Sequence, residues 1–550
     1  MHFNLRIFAF FLKSALLVLL IFAFTSLFNS PASPISSAPI DSIGMGSSTH
    51  LQVGVDNLDV AYQALEDMNI HWVREEIPWV KVEPIPNQFN WSYTSKGLYV
   101  DYDSMLALAE RHHLQVVAVL STGPAYLPHI YPDQPIDADE LVQQWQNYVQ
   151  AVVDRYGDRI DYWEIGDEMN NPEQWGKVMF PTVEGATANP SPFIYARMLA
   201  TASKIIKKHN RQDTIILGGL YNSANSDCFT NPIGFLKEIY NAGAWKTFDV
   251  VALHPYWQNN PPETWMSRGP SYDLQTGLCQ MDVPAESNLL GEVRAIKDFT
   301  AQLGAKPIWI TELGWRADWL AQMGQAKGLA DDQVQANMVL RSVIPLLSEP
   351  GVEKVFWYST AENSANPGFI LSPSASQVLK NIARLLGGAR PLGQFQTYSD
   401  LGTPQELGLF EYRFRKEGRS MLFTWAAIGG DQPYQITLSN LPGTKYRAYA
   451  ANSDDLSLKN GMRLEPDRKK SLTLYVSETP AILIEEKPEI VASLKFRIED
   501  GTSRLIANLQ KDSKNWIHLQ LQQLSNDLLD WAENNIFDFL NWGVDTLSGN

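Results

Sequence analysis

The feature that most constrains this chain is a regular alternation of short apolar runs with longer stretches of helical periodicity. The helical stretches, such as DYDSMLALAERHH at 101–113, place apolar residues three and four positions apart. Eight strands that alternate with helices predict an α/β fold, a closed (β/α)8 barrel of the TIM type. A doubly wound open sheet is the alternative, but no glycine-rich phosphate turn follows the first run. The eight apolar runs span residues 51–55, 72–77, 115–121, 161–166, 214–220, 248–256, 307–314 and 352–359.

The pattern changes near Gly387, beyond which short runs of β-forming residues are separated by turn residues. We expect an antiparallel β-sandwich over 389–487 that packs on a barrel formed by 41–388. The runs that predict its strands are 409–416, 420–427, 434–439, 445–450, 471–476 and 481–485.

The last segment, 488–550, has the pattern of an amphipathic helical tail. Its apolar positions follow spacings of four and three, which give one apolar helix face. No Lys or Arg lies beyond Lys514, so attraction to an anionic membrane surface is not expected. We expect this helix to dock on the protein itself or on a protein partner. The positions are Ile517, Leu521, Leu524, Leu528 and Trp531.

Residues 1–40 have the composition of an export segment. Arg6 and Lys13 precede the apolar stretch 14–28, and a Ser/Pro/Ala-rich linker follows. This pattern predicts a signal peptide. Counted from Leu5, the apolar stretch is nearly long enough to span a bilayer, so a membrane anchor is the alternative. Both interpretations place the protein outside the cytoplasm, secreted or anchored at the cell envelope.

The chain has two cysteines, Cys228 and Cys279. In an oxidising compartment they can form a disulfide, and two separate buried thiols are the alternative. Each lies in a long loop after the fifth or the sixth predicted strand, so a disulfide would join two loops at the same end of the barrel.

Charge and composition restrict the partner class. The chain has 44 basic and 61 acidic residues, a formal net charge of -17 that repels a phosphate backbone. Nucleic acid is therefore not an expected partner, and a neutral substrate is easier to accept. The 17 Trp, 21 Tyr and 23 Phe supply many flat apolar faces on which sugars can stack.

Acidic residues follow two of the predicted strands. In DYWEIGDEMN, 161–170, Asp167 and Glu168 come directly after the fourth strand, and Glu312 is a single acid in the seventh run, PIWITELG. The C-terminal strand ends form the active site of such barrels, so these carboxyl groups are expected at one mouth. Glycosidic cleavage needs two carboxyl groups, one to protonate the leaving oxygen and one to act as nucleophile or base. Glu164 is either a further site residue or a buried structural acid.

Two segments resemble a known superfamily. WEIGDEMN (163–170) and WITELGW (309–315) resemble the acid/base and nucleophile strands of the clan A glycoside hydrolases, which are retaining (β/α)8 glycosidases. The resemblance covers residues from about 50 to about 386 and is closest to family 39 and cellulase-like members, the former with a β-sandwich behind the barrel.

The resemblance implies roles for individual residues. Glu168 would be the acid/base and Glu312 the nucleophile in hydrolysis of a poly- or oligosaccharide. Arg74 and Tyr256 would contact the nucleophile, and no metal or organic cofactor takes part. The supporting residues that it implies are Arg74, His254, Tyr256 and Trp357, the last as the floor of the sugar subsite. The alternative for Arg74 is a buried ion pair with Glu75 or Glu76, and the alternative for His254 is a hydrogen bond within the core.

One position departs from the family pattern. The family usually has Asn directly before the acid/base, where its amide contacts the sugar 2-hydroxyl, and this chain has Asp167. Asp accepts hydrogen bonds but does not donate them, and its charge favours the protonated form of Glu168. A changed substrate and a lost activity both fit the substitution. The alternatives are therefore a non-catalytic carbohydrate-binding envelope protein on a glycosidase barrel, and a transglycosylase that remodels exopolysaccharide.

Overall fold

A computed structural model of the chain describes most of residues 42–486. Of 180–181, 187–188 and 281–285 only the backbone is described. The predicted export segment, 1–40, and the predicted helical tail, 488–550, lie outside the described residues. Among the residues that the structure describes, no helix is long and apolar enough to span a bilayer. The described ranges are 42–46, 48–121, 137–175, 180–181, 187–188, 190–222, 226–273, 278–359, 361, 368–395, 408–427 and 432–486.

The central element is a curled parallel sheet of nine strand segments. Its two outermost segments, Thr214–Leu217 and Leu220–Tyr221, follow each other in the chain. Ile216 also forms a parallel bridge with Val250, which directly precedes the strand Val251–His254. This arrangement fits the predicted (β/α)8 barrel. In sheet order the segments are Leu220–Tyr221, Val251–His254, Ile308–Leu313, Val352–Trp357, Ile43–Met45, Trp72–Glu76, Gln115–Leu120, Tyr162–Ile165 and Thr214–Leu217.

The prediction of the first strand at 51–55 was wrong. The first strand is Ile43–Met45, and 51–55 lies in the helix Thr49–Asp67, whose buried face continues through Leu58, Tyr62 and Leu65. Gly54, with φ of 68°, kinks this helix and interrupts its periodicity near the start. The three-residue strand is too short to give an alternating pattern, whereas the longer apolar run after it has the length that predicts a strand.

Helices follow the strands, and most begin at a capping residue. Six of them start after a Ser, Asp or Asn whose side chain accepts a hydrogen bond from a backbone N–H of the first turn, which stabilises the helix start. The helices are Thr49–Asp67, Trp79–Val82, Tyr102–Arg111, Ala138–Tyr156, Pro172–Trp175, Pro192–His209, Pro232–Asn241, Leu289–Gly304, Ala317–Lys327, Asp331–Ser348 and Pro373–Leu386, with a 3-10 turn at Trp245–Thr247. Antiparallel hairpins are Ser92–Ser95 with Leu98–Asp101, Phe180–Pro181 with Thr187–Ala188, and Met266–Tyr272 with Cys279–Ser287.

The N-terminal half of the space inside the curled sheet is filled by aromatic side chains. Trp72 contacts Tyr162 and Trp309 edge to face, at 4.8 and 5.8 Å between ring centroids. Phe356 packs on Trp309 from the eighth strand. This apolar plug closes the barrel below the strand ends and excludes water from beneath them.

A polar layer lies directly above this plug. Side chains on one face of a strand recur at every second residue, so the next inward positions after Trp72, Tyr162 and Trp309 are Arg74, Glu164 and Thr311. His254 stands in the same relation to the interior residue Ala252. The strands therefore bring one cation, one carboxylate, one imidazole and one hydroxyl together beneath the mouth, which we define as the C-terminal ends of the barrel strands.

The C-terminal strands form a six-stranded and a two-stranded antiparallel sheet, an arrangement that fits the predicted β-sandwich. Two short strands, Arg390–Gln394 and Met462–Leu464, were not predicted. In order, the larger sheet contains Arg390–Gln394, Leu409–Lys416, Arg419–Ala426, Ala481–Glu485, Tyr446–Ala450 and Met462–Leu464, and the smaller pairs Tyr434–Leu438 with Leu472–Val476.

Buried ion pairs join these sheets to the barrel. Arg341, on the helix Asp331–Ser348, donates to Glu478 at 3.1 Å and to Glu263 at 2.8 Å. Trp425 of the larger antiparallel sheet also donates to Glu263, at 2.8 Å. Glu263 lies in the loop after the sixth barrel strand, so the C-terminal sheets hold one of the loops that border the mouth.

Candidate active site

Glu168 and Glu312 reach the mouth from the fourth and the seventh strands. Gly166 and Glu168 both have positive φ, 81° and 46°, so the chain turns sharply at the end of the fourth strand. A non-glycine residue rarely adopts this conformation, which costs about 1–3 kcal/mol and is found most often at functional sites. One carboxylate oxygen of Glu168 lies within 4.8 Å of a carboxylate oxygen of Glu312.

Arg74 binds three carboxylates. Its Nε and Nη2 donate to Glu164 at 2.8 and 3.2 Å, its Nη2 also to Asp167 at 2.5 Å, and its Nη1 to Glu312 at 2.6 Å. The guanidinium is fully buried, and the charges of its partners raise its pKa well above the usual value although burial acts against this. Arg74 is therefore a permanent positive charge under the mouth.

The ion pairs proposed from sequence between Arg74 and its neighbours do not form. Glu75 instead contacts His50 at 2.5 Å and Tyr62 at 2.9 Å, on the outward side of the strand. Glu76 accepts from Ser121 at 3.0 Å. Burial, together with the charge of Asp167, raises the pKa of Glu76, which adds an acid to the site that sequence reasoning assigned only as a pairing partner.

Glu312 is held by two donors. Besides Arg74, the hydroxyl of Tyr256 donates to its Oε2 at 2.7 Å. Burial raises the pKa of Glu312 to about 7, and the charges of Asp167 and Glu168 act in the same direction against the opposing effect of His254 and Arg74. The carboxyl group therefore changes charge near neutral pH.

His254 lies between the two carboxylates. Its Nδ1 is 3.1 Å from Oε1 of Glu168 and 3.8 Å from Oε2 of Glu312, and its Nε2 is 3.0 Å from the hydroxyl of Thr311. Burial alone would lower its pKa, but the charge of Glu312 and the hydrogen bond to Glu168 raise it to about 9. At neutral pH the imidazole is thus positively charged between two acids.

Besides Glu76, three residues of this arrangement were not singled out from the sequence as site residues. Thr311 contacts both His254 and, at 3.3 Å, Glu164. Asn171 donates to Oε2 of Glu168 at 3.0 Å. Arg268, in the hairpin after the sixth strand, donates to the backbone oxygen of Tyr256 at 2.8 Å. Two-residue alternation would have identified Thr311, whereas the other two depend on loop conformation that no sequence pattern encodes.

Trp357 is placed differently from the other site residues predicted by resemblance. Its ring is fully buried and stacks on Trp315, with 5.8 Å between centroids and 23° between planes. Its neighbour Phe356 belongs to the interior of the sheet, so Trp357 faces the surrounding helices by alternation. In this conformation it offers no open face to a sugar.

The loops bordering the mouth are covalently linked. A disulfide joins Cys228, after the fifth strand, to Cys279, in the hairpin after the sixth, with their Cα atoms 5.9 Å apart. Arg268 of the same hairpin stacks over Trp257 at 4.8 Å and donates to the backbone oxygen of Asn222. The hairpin is therefore fixed both to the loop after the fifth strand, through Cys228 and Asn222, and to Trp257 after the sixth strand.

Two groups of side chains have the spacing of cation ligands. They are Glu164, Asp167 and His254, and Glu168, His254 and Glu312, with one ligand atom from each within 4.8 Å of the others. These side chains already take part in the hydrogen bonds with Arg74, Tyr256, Thr311 and Asn171 described above. We assign no metal to them.

The fold has known counterparts, although no protein-family model and no curated protein sequence matches this chain. A family 39 glycoside hydrolase from Bacteroides cellulosilyticus WH2 superposes with a TM-score of 0.55 at 18% identity, over 82% of this chain and 81% of that chain. A GH30 endoxylanase from Clostridium papyrosolvens C71 gives 0.46 at 12% identity over 82% and 97% of the two chains. A family 51 α-L-arabinofuranosidase from Bifidobacterium longum gives 0.48 at 12% over 83% and 97%. The resemblance predicted from sequence is thus confirmed at the level of fold.

Proposed function

We propose that this chain is a retaining glycoside hydrolase that cleaves O-glycosidic bonds of a poly- or oligosaccharide. The observation that carries the proposal is the facing pair Glu168 and Glu312, with carboxylate oxygens within 4.8 Å. Retaining enzymes separate the two carboxyl groups by about 5–5.5 Å, whereas inverting enzymes leave about 6.5–9.5 Å for a water molecule. The short separation supports direct attack by a carboxylate on the sugar.

In the first step Glu312 acts as the nucleophile. A bond forms between its carboxylate oxygen and the anomeric carbon, the bond from that carbon to the leaving oxygen breaks, and Glu168 gives its proton to the leaving oxygen. Arg74 and Tyr256 hold the Glu312 carboxylate from two sides, at 2.6 and 2.7 Å, which fixes its orientation before substrate arrives.

In the second step water replaces the enzyme on the sugar. Once Glu312 is esterified its negative charge is gone, so Glu168 holds its proton less tightly and serves as the base. Glu168 takes a proton from water, the water oxygen bonds to the anomeric carbon, and Glu312 leaves as a carboxylate. Asn171, which donates to Oε2 of Glu168 at 3.0 Å, keeps this carboxyl group oriented in both steps.

Release of reducing sugar from a panel of β-linked polysaccharides and aryl glycosides tests the proposal. The parent is compared with Glu312→Ala and Glu168→Gln, and with Glu173→Gln as a control that removes an exposed acid from the short helix Pro172–Trp175 after the fourth strand. Turnover by the parent and the control alone supports the proposal, and product of the same anomeric configuration as the substrate establishes retention. Turnover that survives Glu312→Ala overturns it.

The same experiment decides between the alternatives. The feature that favours a non-catalytic binding protein is Asp167 in place of the usual Asn, and this Asp pairs with Arg74 at 2.5 Å. Glycan binding without any turnover would support that function. Oligosaccharide products longer than the substrate would instead identify a transglycosylase, in which a sugar hydroxyl replaces water in the second step.

We also propose that residues 1–40 direct the protein out of the cytoplasm, either as a cleaved signal or as an anchor. The Cys228–Cys279 disulfide supports this, because disulfides persist mainly in oxidising compartments. Cell fractionation followed by N-terminal sequencing of the mature protein tests the proposal. A soluble cytoplasmic protein that retains Met1 would contradict it.

A further inference from the structure

The candidate site contains more acids than positive charges. Arg74 is shared among Glu164, Asp167 and Glu312, and His254 is shared between Glu168 and Glu312. The acids are Glu76, Glu164, Asp167, Glu168 and Glu312, and the cations are Arg74 and His254. Even if two of these five acids carried a proton, three carboxylates would still face two cations.

Asp167 is the acid best placed to meet a ligand. Only its Oδ1 is paired, with Nη2 of Arg74 at 2.5 Å, and its Oδ2 has no hydrogen-bond partner within the described part of the chain. The side chain is 19% exposed, whereas Glu164, which shares the same guanidinium, is fully buried. The free oxygen of Asp167 is therefore the part of the excess charge that a bound sugar can contact.

The position of Asp167 restricts which part of the sugar it meets. It directly precedes Glu168, and it shares Arg74 with Glu312, so it flanks both groups that act at the anomeric carbon. The ring substituent nearest to that carbon is the one on C2. A group on C2 of the sugar between Glu168 and Glu312 is thus the natural partner of Asp167.

We propose that this substrate is a 2-amino-2-deoxy sugar with a free, protonated amine, and that Asp167 binds the ammonium group. The inference rests on the proposed function, because it places the sugar between Glu168 and Glu312. A carboxylate only accepts hydrogen bonds, and an ammonium group offers three donors and a charge, whereas an acetamido group offers a single uncharged N–H. Hydrogen bonds between two charged groups are about twice as strong as neutral ones.

The positive charge would also assist the nucleophile. Burial and the charges of Asp167 and Glu168 raise the pKa of Glu312 to about 7. An ammonium group near Asp167 opposes this effect and favours the ionised carboxylate that attacks the sugar. A neutral sugar leaves the carboxylates uncompensated.

The test compares matched aryl β-glycosides that carry an amine, an acetamido or a hydroxyl group at C2, in both the gluco and the galacto series. Parent and Asp167→Asn proteins are assayed in EDTA, so that a metal ion does not supply the charge. We expect the parent to favour the amine over the hydroxyl at least tenfold in kcat/KM, and Asp167→Asn to lose at least tenfold of this ratio. Because the ratio is internal to each protein, partial misfolding of the variant does not affect it.

The outcomes separate this inference from the proposed function. Glu312-dependent turnover that favours the hydroxyl or acetamido sugar, with a ratio unchanged by Asp167→Asn, overturns the inference and leaves the glycosidase intact. If no glycoside is cleaved, calorimetry with the Glu168→Gln protein still decides. It should bind fully deacetylated amino-sugar oligomers at least tenfold more tightly than acetylated ones, and equal binding or none overturns the inference.

Discussion

The hydroxyl of Tyr256 donates to Oε2 of Glu312 at 2.7 Å. Burial and the charge of Glu312 raise the pKa of Tyr256 well above its usual value, so the phenol remains a donor at all working pH values. We expect Tyr256→Phe to lower kcat/KM roughly 10- to 100-fold, because a hydrogen bond to a charged group contributes about 1.5–3 kcal/mol. Steady-state kinetics on the best substrate measures the effect. An unchanged kcat/KM would show that Arg74 alone orients the nucleophile.

Arg268 is expected to act through Tyr256. It donates to the Tyr256 backbone oxygen at 2.8 Å and stacks over Trp257, and it lies outside contact with either Glu168 or Glu312. Arg268→Met should lower kcat several-fold in the parent but have little further effect in Tyr256→Phe. Both changes weaken the same contact, the hydrogen bond from the Tyr256 hydroxyl to Glu312. A double-mutant cycle in kcat measures this coupling. Strictly additive effects would indicate that Arg268 serves stability only.

The pH dependence of kcat/KM should reveal the charge of Glu312. Its raised pKa, about 7, means that activity increases with pH through this value as the nucleophile ionises. Asp167→Asn removes a neighbouring negative charge and frees Arg74, so both effects lower the pKa of Glu312 and the rising limb should move to lower pH. A rising limb that stays fixed in Asp167→Asn would contradict this assignment. Glu173→Gln, which changes an exposed acid, serves as the control.

The second to eighth strands could be predicted because each is a long apolar run with turn residues at its end. The site acids were predictable for the same reason, since Asp167 and Glu168 follow one such run and Glu312 lies near the end of another. The contact between Arg74 and Glu164 was not predicted, although both lie two residues beyond an interior aromatic residue of their strands. The contact becomes apparent only when the inward-facing positions of the two strands are compared. These strands lie far apart in sequence, so the pattern of either strand alone does not predict it.

The same alternation explains the placement of Trp357. The resemblance associates this position with the sugar subsite, but its neighbour Phe356 faces the interior, and the Trp357 ring stacks on Trp315 among the helices. The first strand was missed because three residues carry no period. The loop contacts of Asn171 and Arg268 depend on backbone turns and a hairpin whose geometry is set by distant packing, so local sequence does not specify them.

Stability should depend on pH through His254. Its pKa is raised from 6.5 to about 9, so the folded protein keeps a proton that the unfolded chain releases. This stabilising contribution is fully present below pH 6.5 and is lost as pH rises through about 9. The difference between the two pKa values corresponds to about 3 kcal/mol in the free energy of unfolding. Urea unfolding at pH 8 and pH 10, both above the pKa of Glu312, measures the part of this loss that lies in that range. His254→Gln should flatten the decrease, and an equally steep decrease in the variant would contradict the assignment.

The disulfide between Cys228 and Cys279 should contribute measurably to stability and to the shape of the mouth. The two residues are 51 positions apart, and closing a loop of this length stabilises the folded state by about 2–4 kcal/mol through the unfolded chain. Cys228→Ser with Cys279→Ser should lower the free energy of unfolding by this amount and raise KM, because the hairpin that carries Arg268 is no longer tied to the loop after the fifth strand. Mass spectrometry of the unreduced exported protein comes first, since two free thiols would remove the basis for the prediction. Reduction of the parent should then reproduce the double variant, whereas the variant itself should not respond to reductant.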